Sequence, residues 1–182
     1  DERQADRIGK IEAAAQHLLA IINDILDLSK IEANGLVLER VPFAPAAMLE
    51  RVRALVAQQA EARRLDLRVR AEGLPARVVG DPTRLTQALL NLASNAVKFT
   101  PAGGSVAVMA RASGDQAVID VIDSGPGISA EIRENLFTPF STSKSHGMGL
   151  GLAISRAIVT AHGEGKATFK DAKTLEACQY LV

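Results

Sequence analysis

Three short segments hold residues whose types and spacing could do chemistry. In Asn91-Leu92-Ala93-Ser94-Asn95-Ala96-Val97-Lys98-Phe99 the two asparagines stand four apart, so a helix would put both on one face with Lys98 close by. Asn is a mediocre helix former that competes with the backbone for hydrogen bonds, so two of them inside a Leu/Ala run ask for a reason. Carboxamide oxygens are hard ligands suited to Mg²⁺, which keeps several waters and takes further ligands from phosphates. A nearby lysine can neutralise phosphate charge. Read alone, the same residues also fit a solvent-facing polar stripe. Asp123-Ser124-Gly125-Pro126-Gly127-Ile128 directly follows a predicted strand. A carboxylate there can accept a hydrogen bond from the exocyclic amine of a base, and glycines let a flat ring approach the backbone. A tight turn with an Asp cap is the alternative. Gly147-Met148-Gly149-Leu150-Gly151-Leu152 opens a helical pattern, offering N–H groups and a positive helix end to phosphate. Its spacing matches neither the dinucleotide fingerprint nor the phosphate loop.

The elements that must hold these segments mix helix and strand without a regular βαβ rhythm, which favours an α/β sandwich over a doubly wound sheet. Ile8, Ile11, Ala15, Leu18, Ile22, Ile25 and Ser29 follow 3-4-3-4 spacing, so residues 1–32 read as one long amphipathic helix with a seam suited to a helical pair or bundle. Asn34-Gly35 is its stop. Leu36–Val41 reads as a short strand, followed by a break at Pro42–Pro45 and a helix over Ala46–Arg64. Leu65–Ala71 and Ala76–Asp81 read as strands, and Asp81-Pro82 opens a helix that runs to Phe99. Residues 105–113 and 116–123 form a hairpin by spacing. A short helix over 129–137, a polar loop, a helix over 150–163 and two closing strands over 166–171 and 175–182 complete the chain. Two parts are expected: a helical segment, 1–34, and a domain, 35–182.

Composition narrows the function. The chain has 182 residues, room for one domain plus an extra element. Lys plus Arg and Asp plus Glu both number 21, a neutral balance that argues against non-specific nucleic-acid binding. Five Phe, one Tyr and no Trp make base-stacking platforms a poor expectation as well. Cys178 is the single cysteine, which excludes an intrachain disulfide and fits a reducing compartment. No run approaches the roughly 18 apolar residues of a spanning helix, and the charged first ten residues lack the apolar core of a secretion signal.

Taken in order, NLASNAVKF, DSGPGI, LFTPF and GMGLGL resemble the N, G1, F and G2 boxes of sensor histidine kinases of two-component systems. These belong to the ATPase superfamily that includes gyrase, Hsp90-type chaperones and MutL-type repair proteins. INDILDLSKIEA (Ile22–Ala33) resembles the second helix of the kinase dimerisation and phosphotransfer domain, and the likeness covers about residues 8–163. It implies a Bergerat-type ATP-binding fold, a two-layer α/β sandwich with a mixed sheet, that binds Mg-ATP and transfers its γ-phosphoryl group to a histidine. By this resemblance Asn95 coordinates Mg²⁺. Asn91 stands where hydrolytic relatives carry a water-activating Glu, so transfer is favoured over hydrolysis. Lys98 contacts phosphate, and Asp123 reads the adenine amino group. Gly125, Gly127 and Ile128 shape the adenine pocket. Gly147, Gly149, Leu150 and Gly151 lie under the phosphates. Phe137 and Phe140 sit at the lid base, as core or as ligand contacts. Lys144 reaches the γ-phosphate or is a solvated loop lysine.

The family's H-E/D-x-x-T/N-P acceptor pattern does not occur in these 182 residues. His17 reads as a bundle-surface histidine, His146 as a lid residue and His162-Gly163 as a helix end. The resemblance therefore implies an acceptor histidine from an upstream segment or in trans, relay to a response-regulator Asp, and a homodimer through the N-terminal helix. It further implies a cytoplasmic location and no nucleic-acid partner. A hydrolytic or non-catalytic nucleotide-binding module of the same superfamily is the alternative. After Gly163 the family's glycine-rich hairpin is missing, a departure that touches the last sheet edge and not the ATP site.

Overall fold

The computed structural model of the chain describes residues 2–33, 36–113, 116–141, 148–162, 167–169 and 174–181. In chain order the elements are α1 (Glu2–Glu32), β1 (Val41–Phe43), α2 (Pro45–Ala62), β2 (Asp66–Glu72), β3 (Val78–Gly80), α3 (Pro82–Phe99), β4 (Ser105–Ser113), β5 (Gln116–Asp123), α4 (Ala130–Glu134), α5 (Gly151–Ala161), β6 (Ala167–Phe169) and β7 (Thr174–Leu181). A five-stranded sheet runs β2-β4-β5-β7-β6, and β1 pairs with β3 in a separate ribbon. The β2–β4 pair is parallel and its other neighbours are antiparallel, so the sheet is mixed. Helices α2, α3 and α5 form the second layer. Val52, Val56, Leu89, Val97, Ile154 and Ile158 meet Val106, Val108, Ile119 and Val121 from alternate sheet positions. This is the expected two-layer sandwich. The edge strand β2 points Asp66, Arg68, Arg70 and Glu72 outward, all exposed.

Two elements differ from the sequence expectation. Residues 36–40 form no strand; pairing starts at Val41 and includes Pro42 and Phe43, the residues read as a break. The backbone N–H of Glu39 donates to Asp81 Oδ2 at 3.2 Å, which removes it from any ladder. Pro42 is tolerated because a two-stranded ribbon has only edge strands. The helix expected over 129–137 is five residues long and ends at Glu134. Beyond it Leu136, Thr138 and Ser141 each donate to the carbonyl three residues back, a string of tight turns around Pro139. The two closing strands are present as β6 and β7, while Asn34-Gly35 lies outside the described residues.

Among the described residues, helix α1 packs on the body through its last turns. Ile8, Ile11, Leu18, Leu19, Ile22, Ile25 and Leu26 are exposed, whereas Leu28 is buried and Ile31 packs on the core. The Asp27 carboxylate, 8% exposed, accepts from Arg84 Nη1 at 2.6 Å and Gln87 Nε2 at 2.9 Å on α3. Burial, and Asp27 one turn away, raise the Asp24 pKa.

At the end of α5, His162 joins three elements. Its Nδ1 lies 2.8 Å from the Ile158 carbonyl, and its Nε2 accepts from the Asp81 backbone N–H at 3.1 Å. Those partners require the neutral ring with its proton on Nδ1. Burial lowers the His162 pKa, outweighing the bond to Ile158 and the charge of Asp81. Below the ordinary value of 6.5 the unfolded chain takes up a proton that the native ring resists, so stability falls as pH drops through that window. Thermal melts from pH 7.5 towards the lowered pKa should show a declining midpoint, with a shallower decline in His162→Gln. Equal slopes in both proteins would remove His162 as the cause.

Candidate nucleotide-binding site

Helix α3 is the spine of the site. Asp81 caps it, accepting from the Arg84 N–H at 2.9 Å, and Pro82 fills its first turn. Leu85, Ala88, Leu89, Leu92, Ala93, Ala96 and Val97 bury its apolar side. Asn91 and Asn95 are half-buried on the remaining face, and Lys98 is exposed in the last turn. The two asparagines are held differently. Asn91 Nδ2 donates to the Gly151 carbonyl at 3.2 Å and to Ser155 Oγ at 3.4 Å, both on α5. Asn95 has no hydrogen-bond partner among the described residues, so its carboxamide is available to a ligand.

The first turn of α5 meets this face. A Cβ on Gly151 would stand 3.4 Å from Asn91 Cγ, so the two segments are in close contact. Leu150, the N-cap residue, is 2% exposed and supplies no capping side chain, which leaves the first N–H groups of α5 for an anion. Just before it, Gly149 has φ +67° and lies against Ser141: a Cβ there would be 2.5 Å from the Ser141 carbonyl oxygen. Only glycine fits that crossing.

The other glycine segment packs at the far end of α3. The Gly125 N–H donates to Asp123 Oδ1 at 2.7 Å. A Cβ on Gly125 would come within 2.5 Å of that same oxygen and 3.4 Å of the Phe99 carbonyl. Glycine here keeps the half-buried carboxylate in place and lets the loop touch α3. Gly127 (φ +79°) and Ile128 follow, both half-buried.

The two phenylalanines part company. Phe137 is half-buried beneath the Arg156 guanidinium, 5.5 Å from its ring centroid, whereas Phe140 is 64% exposed with φ +63°. Lys144, His146 and Gly147 lie outside the described residues, as does the side chain of His17. The structure thus brings Asn91 to Gly151, and Asp123 with Gly125 to the end of the same helix. Sequence reasoning missed Ser155 and Arg156, whose only signal was one hydroxyl and one cation in an apolar helical stripe.

Among the described residues no group of three or more His, Cys, Asp or Glu could hold a metal ion, so a cation here would rely on amide oxygens and on its ligand. A half-buried, unpartnered Asn95 carboxamide fits that requirement for Mg²⁺. A cavity of about 30 Å³, room for one water, is lined by Phe43, Met48, Leu49, Val78, Ile119 and His162 and includes none of the motif residues. Among the described residues no helix is long and apolar enough to cross a membrane.

The chain is similar to known proteins over most of its length. Residues 80–178 match the family described as histidine kinase-, DNA gyrase B-, and HSP90-like ATPase. The signal transduction histidine-protein kinase BarA of Escherichia coli (strain K12) is 39% identical over 171 residues, covering 88% of this chain and 19% of its own length. The chain therefore spans about a fifth of the curated relative. Among solved structures, the catalytic domain of the histidine kinase ThkA superposes with TM-score 0.69 at 28% identity, over 79% of this chain and 95% of that domain. Full-length ShkA in complex with AMPPNP superposes with TM-score 0.80 at 29% identity, over 99% of this chain and 40% of its own.

Proposed function

This chain belongs to the family of histidine kinase-, DNA gyrase B- and HSP90-like ATPases, in its sensor histidine kinase branch, and we propose that it binds Mg-ATP and passes the γ-phosphoryl group to a histidine on a dimerisation helix. The observation that carries this reading is the convergence on α3, where the amide face meets the first turn of α5 and the glycine loop beside Asp123 packs at the other end.

In this reading Asn95 is the amide ligand of Mg²⁺, with Asn91 beside it. Bound magnesium would neutralise charge on the phosphates. Lys98 and the N–H groups of α5 hold the anionic chain. Asp123 accepts from the adenine amine through the oxygen not used by Gly125. Gly127 and Ile128 border the purine, and Phe137 supports the pocket from beneath Arg156. Lys144 and Gly147 belong to the same phosphate-binding segment by sequence. Phosphoryl transfer has a loose transition state, so positioning and charge neutralisation account for most of the catalysis. An asparagine at position 91 has no carboxylate to take a proton from water, which favours transfer over hydrolysis.

The reading extends to partners. Residues 1–34 form the second helix of a dimerisation domain, and 35–182 the ATP-binding domain. The exposed seam of α1 then pairs with helices of the same kind in a homodimer. The acceptor histidine lies on such a helix, and a cytoplasmic response regulator receives the phosphoryl group.

Asp123→Asn tests the nucleotide pocket. The amide oxygen can keep the Gly125 bond, while its NH₂ group would face the adenine amine, donor against donor. Affinity for ATP should fall about 10- to 100-fold with the fold unchanged. Calorimetric titrations giving wild-type affinities for both ATP and GTP would refute the assignment.

A further inference from the structure

The bonds around Asn91 fix which way its amide points. Ser155 is 1% exposed, inside the α3–α5 contact. Its hydroxyl donates to the Gly151 carbonyl at 2.8 Å, with the Ala88 carbonyl further away at 3.4 Å. With that proton committed, the Ser155 oxygen offers lone pairs to Asn91 Nδ2, 3.4 Å away. Asn91 Nδ2 also donates to the Gly151 carbonyl at 3.2 Å. Both acceptors lie on α5 and on the same side of the amide nitrogen, so that side of the amide is committed as a donor. A flipped amide would set oxygen against the Gly151 carbonyl, acceptor against acceptor, at the cost of a half-buried bond. The ring of contacts is tight, since even a methyl on Gly151 would touch Asn91 Cγ, Nδ2 and Oδ1 at 3.4–3.6 Å.

From this we infer that Ser155 is a positioning residue for metal-nucleotide binding: through Asn91 Nδ2 it fixes the sense of the Asn91 amide, so that Oδ1 stays a pure acceptor on the α3 face that also carries Asn95. The inference rests on the Mg-ATP reading above and adds a residue to it. An oxygen held in this sense can receive a divalent cation or one of its waters; a freely flipping amide would offer a donor there half of the time. Ser155 touches neither ligand nor metal in this role.

The test is calorimetric titration of the whole chain with AMPPNP, once with Mg²⁺ and once with EDTA. Wild type, Ser155→Ala, Ser155→Thr, Asn91→Ala and the Asn91→Ala/Ser155→Ala double variant are compared. Ser155→Ala should weaken binding about fivefold with Mg²⁺ and leave binding in EDTA unchanged. Ser155→Thr, which keeps the hydroxyl, should restore the affinity. In the Asn91→Ala background the serine substitution should change nothing further, because its effect passes through that amide. Loss of equal size in EDTA, or the same loss without the Asn91 side chain, would assign Ser155 to packing alone and overturn the inference. So would wild-type affinity in Ser155→Ala. Should Ser155→Ala fail to show a cooperative thermal melt, Ser155→Cys replaces it under the same criteria. A wild-type chain without magnesium-dependent AMPPNP binding would instead refute the underlying Mg-ATP reading, and the inference with it.

Discussion

Asn95→Ala is expected to abolish magnesium-dependent nucleotide binding while the ligand-free chain melts as before. The side chain is half-buried and has no partner among the described residues, so its removal breaks no bond of the fold. Alanine is also the better helix former, by a few tenths of a kcal/mol. The cost falls on the ligand. Outer-shell substitutions around a metal already cost roughly 10–100-fold in affinity, and loss of a direct ligand should reach the upper end or exceed it. Asn91→Ala should behave differently, since it also cuts the bonds to Gly151 and Ser155 and so lowers the melting temperature. Titration with AMPPNP in Mg²⁺ and in EDTA, beside thermal melts of the same samples, separates the two. Tight Mg-AMPPNP binding by Asn95→Ala would show that the metal sits elsewhere.

Asp27→Ala carries the largest expected cost in stability. Its carboxylate holds both Arg84 Nη1 and Gln87 Nε2, and Arg84 is only 24% exposed. Removing the anion leaves a partly buried guanidinium without its counter-charge, though still bonded to Gln87 Oε1 at 3.0 Å, a loss of about 3 kcal/mol, the low end for broken buried pairs because some solvent reaches the arginine. Replacing Asp27 with Asn keeps one acceptor and should cost less. Since this cluster and Leu28 fasten the last turns of α1 to the body, hydrogen exchange should accelerate over residues 24–32 more than over α3. Urea unfolding that gives the wild-type midpoint for Asp27→Ala would mean that the pair does not hold α1.

Why some features were legible in the sequence and others were not follows from the range of the forces involved. The cap at Asp81-Pro82 and the apolar face of α3 are local, and the helix spans the expected residues. The pairing of β4 with β5 likewise follows the expected hairpin. Strand β1 was misplaced because a carboxylate 42 residues away takes the Glu39 N–H, an interaction that no local pattern encodes. Helix α4 is shorter than the helix expected over 129–137 because, from Asn135 onward, i→i+3 turns replace the helical ladder. In the site, the order of the glycine and asparagine segments was informative, since each needs the others to make a pocket. The seam of α1 was visible as a period, yet a period does not show that Asp27 anchors it to α3. Ser155 and Arg156 were invisible for the same reason: each acts across a helix–helix or helix–loop contact.

The charged edge strand has a further consequence. Strand β2 ends the sheet with one side of its backbone unpaired, a natural template for strand addition by a second molecule. Any such strand would have to lie beside Asp66, Arg68, Arg70 and Glu72, alternating with the half-buried Leu67 and Val69. A mixed-sign row of this kind accepts few apolar strangers, so the domain carries its own protection against edge-to-edge aggregation where its sheet would otherwise be open to it.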